Sequence, residues 1–247
     1  MPSMPLIVAH RGCSALHREN SPAAWDAAVV AGADYVEVDL RVSGDGVVVC
    51  CHDADLRRLI GRSAVVAETS ARDLATLFSG GHPAAPPLDM LFASLPGDVP
   101  LLFDIKDERS LALDVILQAL AQYSDREMLL GLHAPASVGH VRAAGWSRHV
   151  LGFLKPGNPA AEESFFDAGG DVLRIWEWDA TAGRLQREAA AGRPAWITMG
   201  EGNTGRRVGD HGADALLRMA EEGAAAFLVN DPLATRRVLA GADAELR

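Results

Sequence analysis

Short apolar runs rich in valine, isoleucine and leucine recur along the chain, and Ala-rich stretches of helical character separate most of them. This alternation is typical of β-strand and α-helix units built around a parallel sheet. The candidate strands lie at 6–10, 35–41, 101–105, 128–132, 150–154, 172–176, 195–199 and 225–229. Because about 250 residues is the usual size of a (β/α)8 barrel, we predict an α/β protein with a TIM-type barrel. A doubly wound open sheet is the alternative.

Local signals support these units. Ser21–Pro22 supplies an N-cap and a proline for the first helical turn, and Gly32 is placed to end that helix. Residues 43–46, with the sequence Ser-Gly-Asp-Gly, predict a turn that continues the second strand as a hairpin. Residues 53–87 fit the alternation poorly and contain three prolines near their end. They predict a small insertion, after the second strand, that crosses one face of the barrel.

Composition places the chain among compact globular proteins. Of 247 residues, 49% are hydrophobic and 23% charged, which excludes a disordered or fibrous chain. No repeat or long linker divides it, so we predict a single domain over 1–247. The formal charge of -10 repels polyanions, and nucleic acid is therefore not an expected partner.

Cysteine usage and the first residues bear on location. Cys13, Cys50 and Cys51 are odd in number and two are adjacent, which fits neither a disulfide framework nor a zinc site. The first apolar run is too short for a signal sequence or a membrane span. We expect a cytoplasmic protein without stable membrane association, and the oligomeric state stays open.

Acidic residues punctuate two of the predicted strands. In 35–41 apolar and charged residues alternate, so Glu37, Asp39 and Arg41 share one face. A half-exposed strand is the other interpretation, but both faces of a barrel strand are covered. Buried neighbouring carboxylates need a cation or a shared proton, and Mg²⁺ or Ca²⁺ with oxygen ligands would satisfy them. Asp104, at the end of the third predicted strand, would be a further ligand.

Histidines and cations follow the same strand ends. His10 and Arg11 close the first predicted strand, where a barrel presents groups to an anionic substrate. His52 follows the hairpin on the same side, and two histidines suit general acid and general base catalysis near neutral pH. Lys106 shares a face with Asp104, either to neutralise a phosphate or to form an ordinary salt bridge.

Taken together, these motifs resemble the glycerophosphodiester phosphodiesterase family. The resemblance rests on HRG at 10–12, EN at 19–20, EVD at 37–39, HD at 52–53, an acid-Ile-Lys motif at 104–106 and Asn-Asp-Pro at 230–232. It runs nearly end to end, and several spaced motifs in the right order are far more specific than any one of them.

The resemblance implies a TIM-type barrel that uses a divalent cation to hydrolyse small glycerophosphodiesters to glycerol 3-phosphate and an alcohol. Carried over position by position, it assigns metal binding to Glu37, Asp39 and Asp104 with Glu19 in or beside that group, acid–base catalysis to His10 and His52, and phosphate binding to Arg11 and Lys106. Asp104 departs from the usual glutamate by one methylene, which leaves the metal's identity open.

Other departures concern substrate recognition. Gly131 to His133 replace a polar strand end of the family, and His133 could supply a new contact. Trp176, at the end of the sixth predicted strand, is a candidate to pack against the alcohol or a sugar group of the substrate. Core packing is the commoner role of tryptophan. The loop 201–212 could close over the substrate or be solvated.

Two other functions remain open from the sequence. A lipid-cleaving enzyme of the same barrel superfamily should show an apolar rim or a basic amphipathic surface, of which the acidic balance gives little sign. A protein that keeps the barrel and binds a phosphorylated metabolite without turnover is the other. The headgroup of the substrate is not encoded in any motif.

Overall fold

The computed structural model describes residues 4–245. The elements, in chain order, are β1 (Leu6–Ala9), α1 (Pro22–Val30), β2 (Tyr35–Val42), β3 (Val48–Cys50), α2 (Arg57–Ile60), α3 (Ala71–Leu74), β4 (Phe78–Ser79), β5 (His82–Pro83), α4 (Leu88–Ser94), β6 (Leu101–Ile105), α5 (Ser110–Ala121), β7 (Met128–Leu132), α6 (Pro135–Ala143), β8 (Val150–Gly152), α7 (Pro159–Asp167), β9 (Val172–Trp176), α8 (Ala182–Ala190), β10 (Ala195–Thr198), α9 (Ala213–Glu221), β11 (Ala226–Val229) and α10 (Pro232–Glu245).

Parallel strands form a closed barrel. The order around it is β1, β11, β10, β9, β8, β7, β6 and β2, and β1 also pairs with β2 to close the ring. This confirms the predicted TIM-type barrel and excludes the open sheet. The predicted strands correspond to barrel strands with small differences at their ends: β8, for example, stops at Gly152, so Phe153 and Leu154 lie beyond it.

The first βαβ unit forms as its local signals predict. Ser21 is the N-cap of α1, and its hydroxyl accepts a hydrogen bond from the backbone N–H of Ala24 at 3.2 Å. Gly32 follows the helix with φ 73°, a left-handed conformation that glycine adopts without steric cost. The hairpin is also confirmed, because β3 runs antiparallel to β2 with Val42 opposite Val48.

The segment 53–87 contains no strand of the barrel. The segment contains two short helices and the β4–β5 pair, and its own small apolar cluster also includes Val49 of β3 and Cys51 just after that strand. Its far end is tied to the chain before α1, since Arg18 Nη2 donates to the carbonyl of Pro83 at 2.7 Å. The insertion thus borders the Glu19–Asn20 motif.

Inward side chains of the barrel change character along the strands. The lower interior is apolar and includes Val8, Leu102, Leu129, Leu151 and Trp196. Because inward positions recur every second residue, the positions nearer the carboxyl ends include the polar side chains of His10, Asp104, His133, Arg174, Thr198 and Asn230. TIM barrels carry their functional residues at this end. Among the described residues, no helix has the length and apolarity needed to cross a membrane.

Candidate active site

A cavity of about 290 Å³ opens at the carboxyl ends of the strands. The predicted site residues that line it are His10, Arg11, Glu37, His52, Asp104, Lys106 and Trp176. Residues that line it without a predicted role include Phe153, Arg174, Thr198, Glu201 and Val208. A second basin of about 350 Å³ shares His10, Arg11 and His52 with it and adds Glu19. The structure therefore brings the dispersed motifs to one place.

Three buried carboxylates form the floor of the site. Glu37 and Asp39 project from β2, and Asp104 lies opposite Asp39 on β6. Each offers an oxygen, and these oxygens lie within 4.8 Å of one another. Burial, with Asp39 and Asp104 close by, raises the pKa of Glu37 well above its ordinary value. Such a cluster suits a hard divalent cation.

Two cations bracket the carboxylates. Lys106 Nζ lies 2.5 Å from Asp104 Oδ2 and 3.0 Å from Asp39 Oδ1. Arg11 Nε lies 3.1 Å from Asp39 Oδ2, and the backbone N–H of Arg11 donates to Glu37 Oε2 at 2.7 Å. Arg11 has φ 58°, and this turn after β1 directs its N–H to Glu37. Three buried carboxylates thus share the contacts of two cations.

His133 contacts both Asp104 and Phe153. Its Nε2 lies 2.8 Å from Asp104 Oδ1, and its ring stacks on Phe153 with 5.4 Å between the ring centroids. Although burial opposes ionisation, Lys106 and His133 hold the pKa of Asp104 below its ordinary value. His133 thus fixes the orientation of the shortened acidic residue.

Asn20 is a site residue whose role the sequence did not reveal. It is buried, its Nδ2 donates to Asp39 Oδ2 at 2.7 Å, and its Oδ1 accepts from the backbone N–H of Asp39 at 3.2 Å. Its φ of 48° lies in the left-handed region, which asparagine tolerates better than most residues. The Glu-Asn motif at 19–20 was the only sequence feature that pointed to this residue.

His10 is fixed by a hydrogen bond to Asn230. His10 Nδ1 lies 2.9 Å from Asn230 Oδ1, and the Asn230 amide donates to the carbonyl of Val208 and to Asp210. Because the Asn230 NH₂ group is used in those two bonds, its Oδ1 accepts a hydrogen bond from His10. His10 therefore carries its hydrogen on Nδ1, and its Nε2 is free to act as a base. Burial and the neighbouring Arg11 lower the pKa of His10 to about 4, so the ring is neutral near pH 7.

His52 is held by a carboxylate instead. Its Nδ1 lies 2.7 Å from Asp53 Oδ1, and Asp53 Oδ2 accepts from Arg58 Nε at 2.6 Å. Arg58 also donates both Nη groups to Glu19. The partner on Nδ1 leaves Nε2 of His52 available for proton transfer.

Glu19 lies outside the group of three carboxylates. Its Oε1 accepts from Arg11 Nη1 at 3.0 Å and its two oxygens accept from Arg58. Burial opposes its ionisation, but Arg58 and Arg11 lower the pKa of Glu19 below its ordinary value. Glu19 therefore adjoins the carboxylates through Arg11 and orients that guanidinium.

Arg174 is a buried cation of the site that was not predicted. It projects inward from β9, is 8% exposed, and stacks on Trp176 with 4.1 Å between its Cζ and the ring centroid. Burial lowers the pKa of Arg174 to about 10, so the side chain stays charged at neutral pH. The period of two in 172–176 places Val172, Arg174 and Trp176 on one face and was the signal available.

The loop 201–212 is engaged with the protein. Arg206 forms an ion pair with Glu177 outside the loop, and within the loop Arg207 Nε lies 3.0 Å from Asp210 Oδ2. The first loop residue, Glu201, has φ 62° and lines the cavity. Strained non-glycine backbone of this kind clusters at functional sites.

Gly131 makes room for the aromatic wall of the cavity. A Cβ at this position would lie 2.3 Å from Phe153 Cε2. Phe153 is itself confined by His133 and by Arg174, whose Cζ is 5.4 Å from its ring centroid. The close approach of Phe153 thus requires glycine at position 131.

We expect Gly131→Ala to lower the free energy of unfolding by about 1–3 kcal/mol, the usual cost of overpacking a core. Gly139→Ala is the matched control. Gly139 lies inside α6, where an added Cβ would have no neighbouring atom within 4 Å, and alanine there should stabilise the helix by about 1 kcal/mol. Urea unfolding of both variants measures the difference. Equal effects of the two substitutions would contradict the packing described for Phe153.

The barrel and its cavity define a (β/α)8 protein that combines basic side chains, histidines and three buried carboxylates at the carboxyl ends of its strands. Residues 10–151 match the Glycerophosphoryl diester phosphodiesterase family, and the chain belongs to that family. The resemblance seen in the motifs is thereby confirmed.

Relatives and solved structures agree with this membership. Over 76 residues, which are 31% of this chain and 28% of the relative, the chain is 42% identical to "Probable glycerophosphodiester phosphodiesterase 1" of Mycobacterium tuberculosis. Over 53% of the chain and 46% of the relative, it is 26% identical to a lysophospholipase D of Rattus norvegicus. The aligned part thus spans less than half of either relative.

Two solved structures show the same fold over nearly the whole chain. A phosphodiesterase from Oleispira antarctica, in complex with the product sn-glycerol-3-phosphate, has a TM-score of 0.82 at 20% identity and covers 96% of this chain and 97% of its own. The glycerophosphodiester phosphodiesterase of Thermotoga maritima has a TM-score of 0.77 at 19% identity and covers 96% of this chain and 100% of its own.

Proposed function

We propose that the protein hydrolyses glycerophosphodiesters to glycerol 3-phosphate and an alcohol, with a divalent cation. The observation that carries this proposal is the buried group Glu37, Asp39 and Asp104, bracketed by Arg11 and Lys106 in a cavity that His10 and His52 line together with His133. Family membership supports it, as does the related barrel described with sn-glycerol-3-phosphate.

The residues fit Mg²⁺ or Ca²⁺. Glu37, Asp39 and Asp104 offer hard oxygen ligands, and Glu37 Oε1 is buried without a hydrogen-bond partner among the described residues. The close approach of three buried carboxylate oxygens, all within 4.8 Å of one another, is the second reason that they fit. When bound, the cation acts as a Lewis acid on a phosphoryl oxygen.

Phosphate binding falls to the two bracketing cations. Arg11 presents a guanidinium that Glu19 holds in place, and Lys106 presents an ammonium between Asp39 and Asp104. Both line the cavity, so each can contact non-bridging oxygens while it stays paired with a carboxylate. Charge that grows on those oxygens in the transition state is stabilised by groups already in position.

Proton transfer falls to the two histidines. Neutral His10 takes a proton at Nε2 from the attacking oxygen, which belongs to water or to a free hydroxyl of the glycerol. His52 gives a proton to the alcohol oxygen as the bond between phosphorus and that oxygen breaks. Attack by the glycerol hydroxyl gives a cyclic phosphate that water then opens, with the two histidines exchanging roles.

A water-soluble substrate in the cytoplasm is part of the proposal. Cys13, Cys50 and Cys51 are all free and buried, as in proteins of reducing compartments. The relative from Rattus norvegicus is a lysophospholipase D, so a lysophospholipid belongs among the compounds tested. A protein that only binds a phosphorylated metabolite would show no turnover with any of them.

The test follows by phosphorus NMR the release of glycerol 3-phosphate from glycerophosphocholine and glycerophosphoethanolamine, and of acylated glycerol 3-phosphate from a lysophospholipid. The protein is first treated with a chelator, and Mg²⁺, Ca²⁺ or Mn²⁺ is then restored. We expect no product with the chelator and glycerol 3-phosphate from the soluble diesters once a cation returns. Absence of product under every condition, or cleavage that yields free glycerol and a phosphorylated alcohol, would contradict the proposal.

A further inference from the structure

The wall of the cavity opposite the carboxylates carries a cation of its own. Around the closed barrel, β9 lies four strands from β2 in either direction. Arg174 on β9 therefore faces the cavity from the side opposite Glu37 and Asp39, and it lines the same space as Arg11 and Lys106. A substrate whose phosphate lies at the carboxylates would extend its other groups toward Arg174.

The guanidinium of Arg174 has no protein partner. Among the described residues it forms no hydrogen bond and no ion pair, and its Nε and Nη1 are buried and unpartnered. Asp104 and Glu201 are near enough to attract it without pairing with it. Burying charged donors without partners costs free energy, and a ligand group that accepts from them removes that cost.

Two aromatic rings fix the position of this guanidinium. Its Cζ lies 4.1 Å from the centroid of Trp176 and 5.4 Å from that of Phe153. Cation–π contacts of this kind occupy the face of the guanidinium and leave its N–H edge free. That edge matches the paired oxygens of a carboxylate or a phosphate.

We propose that Arg174 forms a second anion-binding subsite, which selects glycerophosphodiesters whose alcohol carries a carboxylate or a further phosphate. The inference rests on the proposed function and adds a substrate class to it. Arg11 and Lys106 already serve the reacting phosphate, whereas Arg174 is engaged by no acidic residue among those described and lies across the barrel. Trp176 then has two roles: it holds Arg174 in position, and it packs against the alcohol part of the substrate.

Matched substrate pairs test the subsite. Glycerophosphoserine differs from glycerophosphoethanolamine by one carboxylate, and glycerophosphoglycerol phosphate differs from glycerophosphoglycerol by one phosphate. We expect the anionic member of at least one pair to have a kcat/KM about 10- to 100-fold higher, the range of a charge-assisted hydrogen bond. The carboxylate pair and the phosphate pair show which anion is preferred. Equal values within both pairs would overturn the proposal.

Variants then assign the preference to Arg174. Arg174→Gln should remove most of the 10- to 100-fold preference, mainly through KM, while it changes kcat/KM on glycerophosphoethanolamine by less than about 3-fold. Arg174→Lys should keep part of the preference, and it serves if the glutamine variant unfolds. Arg187→Gln, an equal charge change at an exposed position of α8, is the control. An equal loss on every substrate would place Arg174 at the shared phosphate and contradict the proposal.

Binding separates this inference from the proposed function. Calorimetry on the metal-loaded His10→Ala protein measures how tightly the matched pairs bind without depending on turnover. Tighter binding of the anionic members, lost in the double variant with Arg174→Gln, supports the subsite even if no diester is hydrolysed. Equal binding within both pairs overturns it even if hydrolysis is found.

Discussion

Replacing His10 by alanine is expected to lower kcat for glycerophosphodiester hydrolysis by about 10²- to 10⁴-fold, the usual contribution of a general base. His10 is neutral at working pH because burial and Arg11 lower its pKa to about 4. Its bond to Asn230 leaves Nε2 as the acceptor. KM should change far less, because proton transfer occurs only in the transition state. Steady-state rates of glycerol 3-phosphate release measure the effect.

His149→Ala is the matched control for this substitution. The side chain of His149 is 70% exposed, and it pairs with Asp171 just before β8, at the opposite end of the barrel. The activity of the His149→Ala variant should equal that of the wild-type protein. His10→Gln, which keeps more of the side-chain volume, should lose as much activity as the alanine variant. A His10 variant that folds, binds metal and retains turnover would remove the base from this mechanism.

Glu37→Gln is expected to weaken binding of the divalent cation by at least about 100-fold, since it replaces a charged carboxylate ligand with a neutral amide, and even residues that only support the ligands contribute 10- to 100-fold. The metal-free protein should lose no stability, because the substitution removes charge from a crowded, buried group of carboxylates. An amide oxygen can still accept the N–H of Arg11. Metal titration by calorimetry and thermal unfolding with and without metal measure the two effects.

The stabilisation that bound metal provides can be calculated. At a metal concentration 100 times the dissociation constant of the wild-type protein, binding contributes about 2.7 kcal/mol to folding. A 100-fold weaker variant gains about 0.4 kcal/mol at that concentration. Glu221→Gln, on the exposed end of α9, is the control and should keep the wild-type gain. An unchanged gain in Glu37→Gln would exclude the carboxylate group as the metal site.

Much of the fold could be predicted because barrel strands are buried on both faces. Each strand is then a short apolar run bounded by helices, and the pattern identified all of the parallel strands. Their ends were less certain, since burial continues past the last residue of the strand, as at Phe153. The insertion could be located but not described, because its small apolar cluster depends on contacts with β3.

The site was predictable where charge interrupts an apolar strand. Glu37, Asp39 and Asp104 stood out for that reason, and they lie together in the structure. Arg174 interrupts its strand in the same way, but a single buried arginine has no partner in the sequence to suggest its role. The place of Glu19 could not be read from the chain, because it is set by Arg58 in the insertion.

A crystal structure of the protein with Mn²⁺ and glycerol 3-phosphate tests the central claim most directly. We expect an anomalous peak for the metal among Glu37, Asp39 and Asp104. The phosphate of the product should contact Arg11 and Lys106, and the ring of His10 should lie beside it. A metal peak elsewhere, or a product bound away from these residues, would contradict the site on which the proposed function rests.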